Sequence, residues 1–336
     1  MKNEKYIKNL HSYNKLLSLY EKRFDGNCYG TPLIMSFLVT NRCNLKCKHC
    51  FYHESLNSGD NNNELCLSEY EKISKSMGWF LTGIFCGGEP FVRDDFADII
   101  YLFQKNNHLA TADSASNGQL TDQTVHQVEK ILKKSRYQKY SLGISLEGRE
   151  DINDEIRGKG SFKHALETWK ELKKLQEKYS NFEPYICTTI NAVNQNDMYD
   201  FLKWCMENLQ PEKISLLKIR QNPRDGDYLK NVTPENYKNC IDYIQEQTRL
   251  GMMGDINKPQ TFLLCSCYKY IYNSMIEGKR LFKCYAGRHG GFVDYNGDVG
   301  FCEIQHPIGN LRAFNYDFLQ LWNSQESMMA RNNVCI

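Results

Sequence analysis

The sequence lacks a surplus of charge of either sign. Its 42 lysines and arginines stand against 40 aspartates and glutamates, and a net charge of +2 makes no electrostatic case for nucleic acid or an anionic bilayer as partner. It also lacks a long hydrophobic run. No stretch approaches the ~18 apolar residues of a spanning helix, and the mean hydropathy of -0.59 argues against a membrane protein. The opening MKNEKYIKNLHSYNK has no apolar segment of signal-peptide length. Tandem repeats and low-complexity tracts are missing apart from Asp60 to Asn63, read as a solvated loop. What the chain has in quantity is cysteine, with 14 residues. A disulfide framework belongs to short secreted chains, so these thiols are expected in the reducing cytoplasm, where clustered cysteine means metal or redox chemistry.

A length of 336 residues predicts one large domain carrying a smaller one, on a prior of ~150 residues per domain. Residues 1–31 read as a charged lead-in. Leu33 to Thr40 is a short apolar run of strand type, and further strands are predicted near 81–86, 109–116, 140–147, 183–191 and 213–219. Helices are predicted from Ser68, with Glu71 completing a capping box, from a cap at Asp94 through Phe96, Ile99, Ile100 and Phe103, and near 121–134, 161–178 and 196–208. Six apolar strands alternating with amphipathic helices imply a parallel sheet with helices outside, barrel-like or doubly wound. Functional residues then belong at the carboxyl ends of the strands. Gln221 to Asp227 reads as a linker, Thr233 and Pro234 open another helix, and from 262 onward cysteines, glycines and short strands are expected. The resulting division is a lead-in at 1–31, a core at 32–225, a helical linker at 226–261 and a tail at 262–336.

Directly after the first strand, Cys43, Cys47 and Cys50 stand in a C-x3-C-x2-C spacing. Three thiolates on one short loop can hold three irons of a cubane four-iron four-sulfur cluster and leave the fourth iron open to another ligand. The competing reading is a structural zinc site completed by His49 or His53, against which stands the usual arrangement of zinc ligands in two separated C-x2-C pairs. Cys86, Gly87, Gly88, Glu89 and Pro90 close the second strand, where the two glycines permit close backbone approach.

The cysteine triplet after the first strand, with Gly87-Gly88-Glu89-Pro90 ending the second, resembles the radical S-adenosylmethionine superfamily over roughly residues 33–220. The resemblance implies a partial (β/α)6 barrel and an open iron chelated by S-adenosylmethionine, whose reductive cleavage yields a 5′-deoxyadenosyl radical. It places Gly87, Gly88, Glu89 and Pro90 against the cofactor, with Glu89 accepting from the ammonium group. Asn117 at the end of the third strand and Ser145 at the end of the fourth supply polar contacts. The family usually has Asp where Glu147 stands. Arg157, in a stretch typical of the branch with cluster-binding tails, is expected to clamp the cofactor carboxylate. His49 holds a slot that is often aromatic in the family.

Near the end, Asn296-Gly297 between β-prone runs signals a hairpin that returns Cys302 toward the chain bearing Cys284. The pair suits one metal site or, in an oxidising compartment, a disulfide. With Leu321-Trp322 and Cys335 downstream, the region resembles the SPASM or shorter twitch tail, which implies an auxiliary iron-sulfur cluster. One residue follows Cys335, so the expected set is at most one auxiliary cluster from Cys284, Cys302 and Cys335, its fourth ligand Cys267 or Cys265. Cys28, Cys66, Cys86, Cys187, Cys205 and Cys240 are expected as buried hydrophobes. Glu303, Asp294 and Asp298 include a conceivable base.

The resemblance thus implies an enzyme that abstracts hydrogen from a substrate carbon in a net oxidation or rearrangement, fed by an electron donor such as flavodoxin or ferredoxin. Relatives with such tails modify peptides, mature sulfatases or dehydrogenate small molecules. The short stretch before the first strand has no room for a leader-recognition domain, which shifts the expectation toward a small molecule or a peptide bound without one. A zinc or iron-sulfur scaffold without turnover is the reading from another class.

Overall fold

The computed structural model describes residues 29–58, 63–135, 138–220, 222–254, 259–281 and 284–332. Most of the lead-in, most of the Asp60 to Asn63 loop, Cys28, Gln221 and Cys335 lie outside them.

Most strands are short β-branched and aromatic runs, each with at least one face buried, while β3 is built of small and polar residues. β1 (Ile34–Thr40), β2 (Thr82–Gly87), β3 (Thr111–Ser116), β4 (Lys139–Ser145), β5 (Phe182–Ile190) and β6 (Ile214–Lys218) pair side by side in chain order, every pair parallel. An order without reversal has no switch point and winds one way, which selects the partial barrel over the doubly wound sheet. The crossovers are α1 (Leu67–Ser76), α2 (Phe96–Asn107), α3 (Thr121–Lys134), α4 (Glu150–Arg157) with α5 (Ser161–Lys178), and α6 (Met198–Asn208). Phe96, Ile99, Ile100 and Phe103 of α2 are fully buried. Phe103 meets Phe37 of β1 at 4.3 Å between ring centroids, and Phe37 stacks on Phe85 of β2 at 5.1 Å. Each such side chain contributes about 1.5–3 kcal/mol through burial.

Some helix ends differ from expectation. The cap of α1 is Cys66, whose N–H donates to Glu69 at 2.8 Å, while Glu71 pairs with Lys75. At α2 the cap position is Asp95, not Asp94, and its carboxylate is held by Arg93 at 2.8 Å. The short α4 has no counterpart in the sequence reading. Thr233 caps α7 (Pro234–Arg249) as its sequence implies, its hydroxyl accepting from the Asn236 N–H.

The helical stretch also runs on through α8 (Pro259–Glu277), so Cys265 and Cys267 stand on a helix and not in a cysteine-glycine loop. The buried Tyr268 of α8 closes the edge of β6, its hydroxyl accepting from Leu216 N–H at 3.1 Å and donating to the Ile214 carbonyl at 3.3 Å. The tail then lays β7 (Gly290–Val293) parallel to β1 on its free side, followed by antiparallel β8 (Asp298–Gly300) and β9 (Gly309–Asn310). The turn lies at Asn296-Gly297, with Gly297 at φ 91° and Asp294 N–H donating to the Asp298 carbonyl at 2.7 Å. Among the described residues no helix is long and apolar enough to cross a membrane.

Replacing Tyr268 by Phe strands a buried strand-edge N–H. We expect a loss of about 1–3 kcal/mol in urea unfolding of the full chain. A loss below a few tenths would mean that water takes over the bond.

Candidate active site

The loop after β1 carries Cys43, Cys47 and Cys50 over the carboxyl end of the barrel, and each side of it is tied down by hydrogen bonds to its backbone. Asn57, at φ 53°, bonds Cys43 reciprocally: its Oδ1 accepts from Cys43 N–H at 3.1 Å and its Nδ2 donates to the Cys43 carbonyl at 3.0 Å. Lys48 N–H donates to the Ile156 carbonyl at the end of α4. Arg224 and Asp225 donate their N–H groups to the carbonyls of Cys50 and Lys48 at 3.0 and 2.8 Å. The segment expected as a linker therefore clasps the cysteine loop.

The glycines ending β2 are dictated by the same loop. Gly88 N–H donates to the Thr40 carbonyl and Glu89 N–H to the Arg42 carbonyl, both at 2.8 Å. A Cβ on Gly87 would lie 2.4 Å from the Thr40 oxygen, and one on Gly88 2.2 Å from the Arg42 oxygen. Gly87 also sits at φ 139°, where a side chain is strained. Pro90 starts the 3-10 turn Pro90–Val92, which turns the chain so that Glu89 faces inward. The Glu89 carboxylate is buried and accepts from Asn117 N–H at 2.7 Å, Ser116 Oγ at 3.0 Å and Phe91 N–H at 3.2 Å. Burial pushes this carboxyl up to about 7 despite those donors, so a cationic ligand group beside it would favour the ionised form.

Two side chains face the thiols. Asn117 Nδ2 lies 3.9 Å from Cys43 Sγ and donates to Asn44 Oδ1 at 2.7 Å. Arg157 Nη1 lies 3.8 Å from Cys47 Sγ. Burial pushes the Cys43 thiol up to about 11 and raises Cys47 and Cys50 as well, so their ionised forms call for a cationic centre. Arg157 is not free to act as a carboxylate clamp with its whole fork, because Nε and Nη2 both donate to Glu147. Glu147, one carbon longer than the family's usual Asp, is its buried counter-charge and also accepts from Thr189 N–H at 2.7 Å. Burial raises the Glu147 carboxyl, but Arg157, with smaller help from His49 and the Thr189 N–H, brings the net direction downward. His49 Nε2 is 3.6 Å from Glu147 and its buried Nδ1 has no partner. Burial lowers His49 to about 4, so near neutral pH the ring is uncharged.

The three cysteines and every expected cofactor residue except Pro90 line one cavity of about 220 Å3. Its wall also holds Cys86, expected only as a buried hydrophobe, and residues that the sequence reading passed over: Phe51, Thr189, Lys218 and Arg220. Only their positions beside the first triplet or at strand ends could have marked them. Among the described residues no three His, Cys, Asp or Glu side chains gather on a single ion. A cubane takes each thiolate on a different iron, so the spread of Cys43, Cys47 and Cys50 suits a cluster, and the N–H donors aimed at two sulfurs suit thiolate ligands.

In the tail, Cys284 precedes the Ala286 to Gly290 bridge that leads into β7, and Cys302 follows β8 by two residues. Both are thiols, with no disulfide between them. Cys267 stands exposed on α8, on the side of Tyr237 of α7, and Cys265 is buried there. Of the three tail acids, Asp298 is bound by Asn296 and Asn310 inside the turn, Asp294 accepts from Tyr52 Oη at 2.6 Å, and Glu303 pairs with Arg220. Cys86, Cys187, Cys205 and Cys240 are shielded thiols raised by burial, whereas Cys66 is exposed.

Residues 37–205 match the profile of the Radical SAM superfamily, and the chain belongs to that superfamily. Membership implies a four-iron four-sulfur cluster and S-adenosylmethionine as cofactors. Among curated proteins it is similar to the Fe-coproporphyrin III synthase of Methanosarcina barkeri, at 29% identity over 218 residues, covering 63% of this chain and 50% of that one. It is also similar to the mycofactocin maturase MftC of Mycolicibacterium smegmatis, at 25% identity over 320 residues, covering 93% and 74%. The chain thus spans half the length of the first relative. Among solved structures, Streptococcus suis SuiB bound to S-adenosylmethionine shares the fold at TM-score 0.66 and 18% identity, covering 96% of this chain and 72% of that one.

Changing Glu147 to Gln leaves Arg157 buried without its counter-charge, and we expect a loss of about 3–5 kcal/mol at neutral pH. Because the Glu147 carboxyl is held below its ordinary value, its contribution is present above the unfolded-state pKa and lost as pH falls through the folded one. Wild type and variant should therefore converge in acid when unfolded by urea. A gap that stays constant with pH would refute the ion-pair account.

Proposed function

We propose that Cys43, Cys47 and Cys50 each ligate one iron of the cluster and that S-adenosylmethionine occupies the cavity beside them. The observation that carries this reading is the meeting of the cysteine loop and the Gly87 to Glu89 turn at the strand ends, around one cavity. A bound cluster would supply one electron to S-adenosylmethionine, whose S–C5′ bond would break to leave methionine and a 5′-deoxyadenosyl radical able to take hydrogen from a substrate carbon. Gly87 and Gly88 bring the backbone close, Glu89 accepts from the cofactor ammonium group, and Asn117 and Ser145 supply polar contacts. Arg157, with Glu147 behind it, steadies the thiolate of Cys47. The net reaction is an oxidation or rearrangement, with flavodoxin or ferredoxin as the class of electron donor.

For the substrate, a peptide is the reading favoured by a second cavity of about 920 Å3 that shares Phe51 with the first and is walled by tail residues. Its support from relatives is the likeness to a maturase and to a fold solved with a precursor peptide, SuiA, bound. Cys284 and Cys302 are proposed as two ligands of one auxiliary cluster in the 262–336 region, with Cys335 and Cys267 as the further thiols offered.

The protein should be reconstituted anaerobically, its iron and sulfide counted, and 5′-deoxyadenosine measured after dithionite and S-adenosylmethionine. We expect deoxyadenosine from wild type and none from the Cys43→Ala, Cys47→Ala or Cys50→Ala variants; continued cleavage in any of them refutes the ligand assignment. About eight irons per chain supports the auxiliary cluster, and about four removes it.

A further inference from the structure

β6 ends at Lys218, and its ladder continues one residue further, Ile219 N–H donating to the Ile190 carbonyl at 3.0 Å. Side chains alternate across an extended strand. Ile219 packs with Ile156 and Tyr228 on one side, while Lys218 and Arg220 both reach the wall of the inner cavity. Two cations therefore stand together at the end of β6, where none of the expected cofactor residues lies.

Their counter-charges do not match them. Among the described residues Lys218 has no carboxylate within ion-pair distance. Arg220 lies over the Phe51 ring at 4.7 Å from guanidinium carbon to centroid and pairs with Glu303, which the tail delivers from beyond β8. Arg220 keeps 44% of its side chain exposed, and its neighbour across the pair, Ile304, is 63% exposed. Phe51 lines both cavities and Glu303 the outer one, so the pair stands where the two spaces meet. A planar guanidinium backed by a ring takes a carboxylate in a fixed orientation. Glu303 already displays a carboxylate in that place, and Lys218 leaves one positive charge uncompensated for a second.

We propose that Lys218 and Arg220 form a carboxylate subsite for the substrate, and that Glu303 holds Arg220 until a substrate carboxylate replaces it. The substrate class is then a molecule bearing a free carboxylate near the carbon that reacts, such as an acidic side chain or a peptide C-terminus. This rests on the reading of the inner cavity as the radical site. S-adenosylmethionine also carries a carboxylate, so the same chemistry has two sources, and the test must separate them.

The probes are acetyl-Gly-Glu-Gly-amide and its Gln counterpart, titrated calorimetrically into the reconstituted full chain with S-adenosylmethionine present. Wild type should bind the Glu peptide about tenfold more tightly than the Gln peptide. Lys218→Gln and Arg220→Gln should each remove most of that preference, Arg220→Lys should retain more of it than Arg220→Gln, and Glu303→Gln should tighten the Glu peptide by about threefold by removing the competing carboxylate. Failure of wild type to bind or prefer the Glu peptide, an unchanged preference in the Gln variants, equal loss in Arg220→Lys and Arg220→Gln, or weaker binding in Glu303→Gln overturns the proposal. S-adenosylmethionine affinity, measured in the same samples, should change less than about twofold; a larger loss assigns the subsite to the cofactor and overturns the substrate role. Iron content and deoxyadenosine from the same preparation report on the radical reading separately, so the preference can survive its failure or fail while it stands.

Discussion

The contact on which the site depends is the one between the ends of β1 and β2. Where the chain leaves the sheet at Thr40 and Arg42, their carbonyls receive N–H groups from Gly88 and Glu89 at 2.8 Å. A methyl group at either glycine would occupy the space of a carbonyl oxygen. The approach fixes the start of the cysteine loop against the turn that buries Glu89, and Glu89 in turn collects the ends of β3 through Ser116 and Asn117. Asn117 then returns to Cys43. A chain of hydrogen bonds through the backbone and the buried side chains of Glu89 and Asn117 thereby links the Cys43 end of the loop to the Glu89 carboxylate.

The opposite rim is built from charge. Glu147 and Arg157 are both buried, and each answers the desolvation cost of the other. Their pairing brings α4 down on the loop, where the Ile156 carbonyl accepts from Lys48 N–H. The uncharged His49 beside them adds no further charge to be balanced. One rim is thus rigid through close packing and hydrogen bonds, the other through an ion pair sealed from water.

Much of this was readable from the chain. Regular amphipathic spacing located α3 and α5 at their observed bounds, and the apolar runs located the six strands to within about two residues, as such patterns allow. The cysteine spacing and the Gly-Gly-Glu turn were readable because their geometry is local. What was not readable depends on partners distant in sequence. Glu147 looked like a mere lengthening of Asp until α4 folded Arg157 onto it. Cys66 caps α1 through Glu69, which a search for Ser or Thr passes by. The apolar α8 reads as a run of cysteines and aromatics because it is apolar all round, so no single face announces a helix. Arg220 and Glu303 meet only after the tail has crossed to the barrel mouth.

β1 has a neighbour on each side: β2 with its glycine turn, and β7 with the tail. Ile34 is level with Thr82 on one side and with Gly290 on the other. Strand registers change in whole residues, and a slip of one would turn Phe37 and its neighbours to the wrong face. Along Ile34 to Leu38 the smallest tolerated shift is two residues, roughly 6.6 Å; the pairing with β2 slips by one only beyond that stretch, between Leu38 and Thr40. Ile34 to Phe37, paired on both sides, therefore act as a toothed rail between the cysteine loop and the tail: the spacing of the two is counted out in notches and does not drift with side-chain repacking.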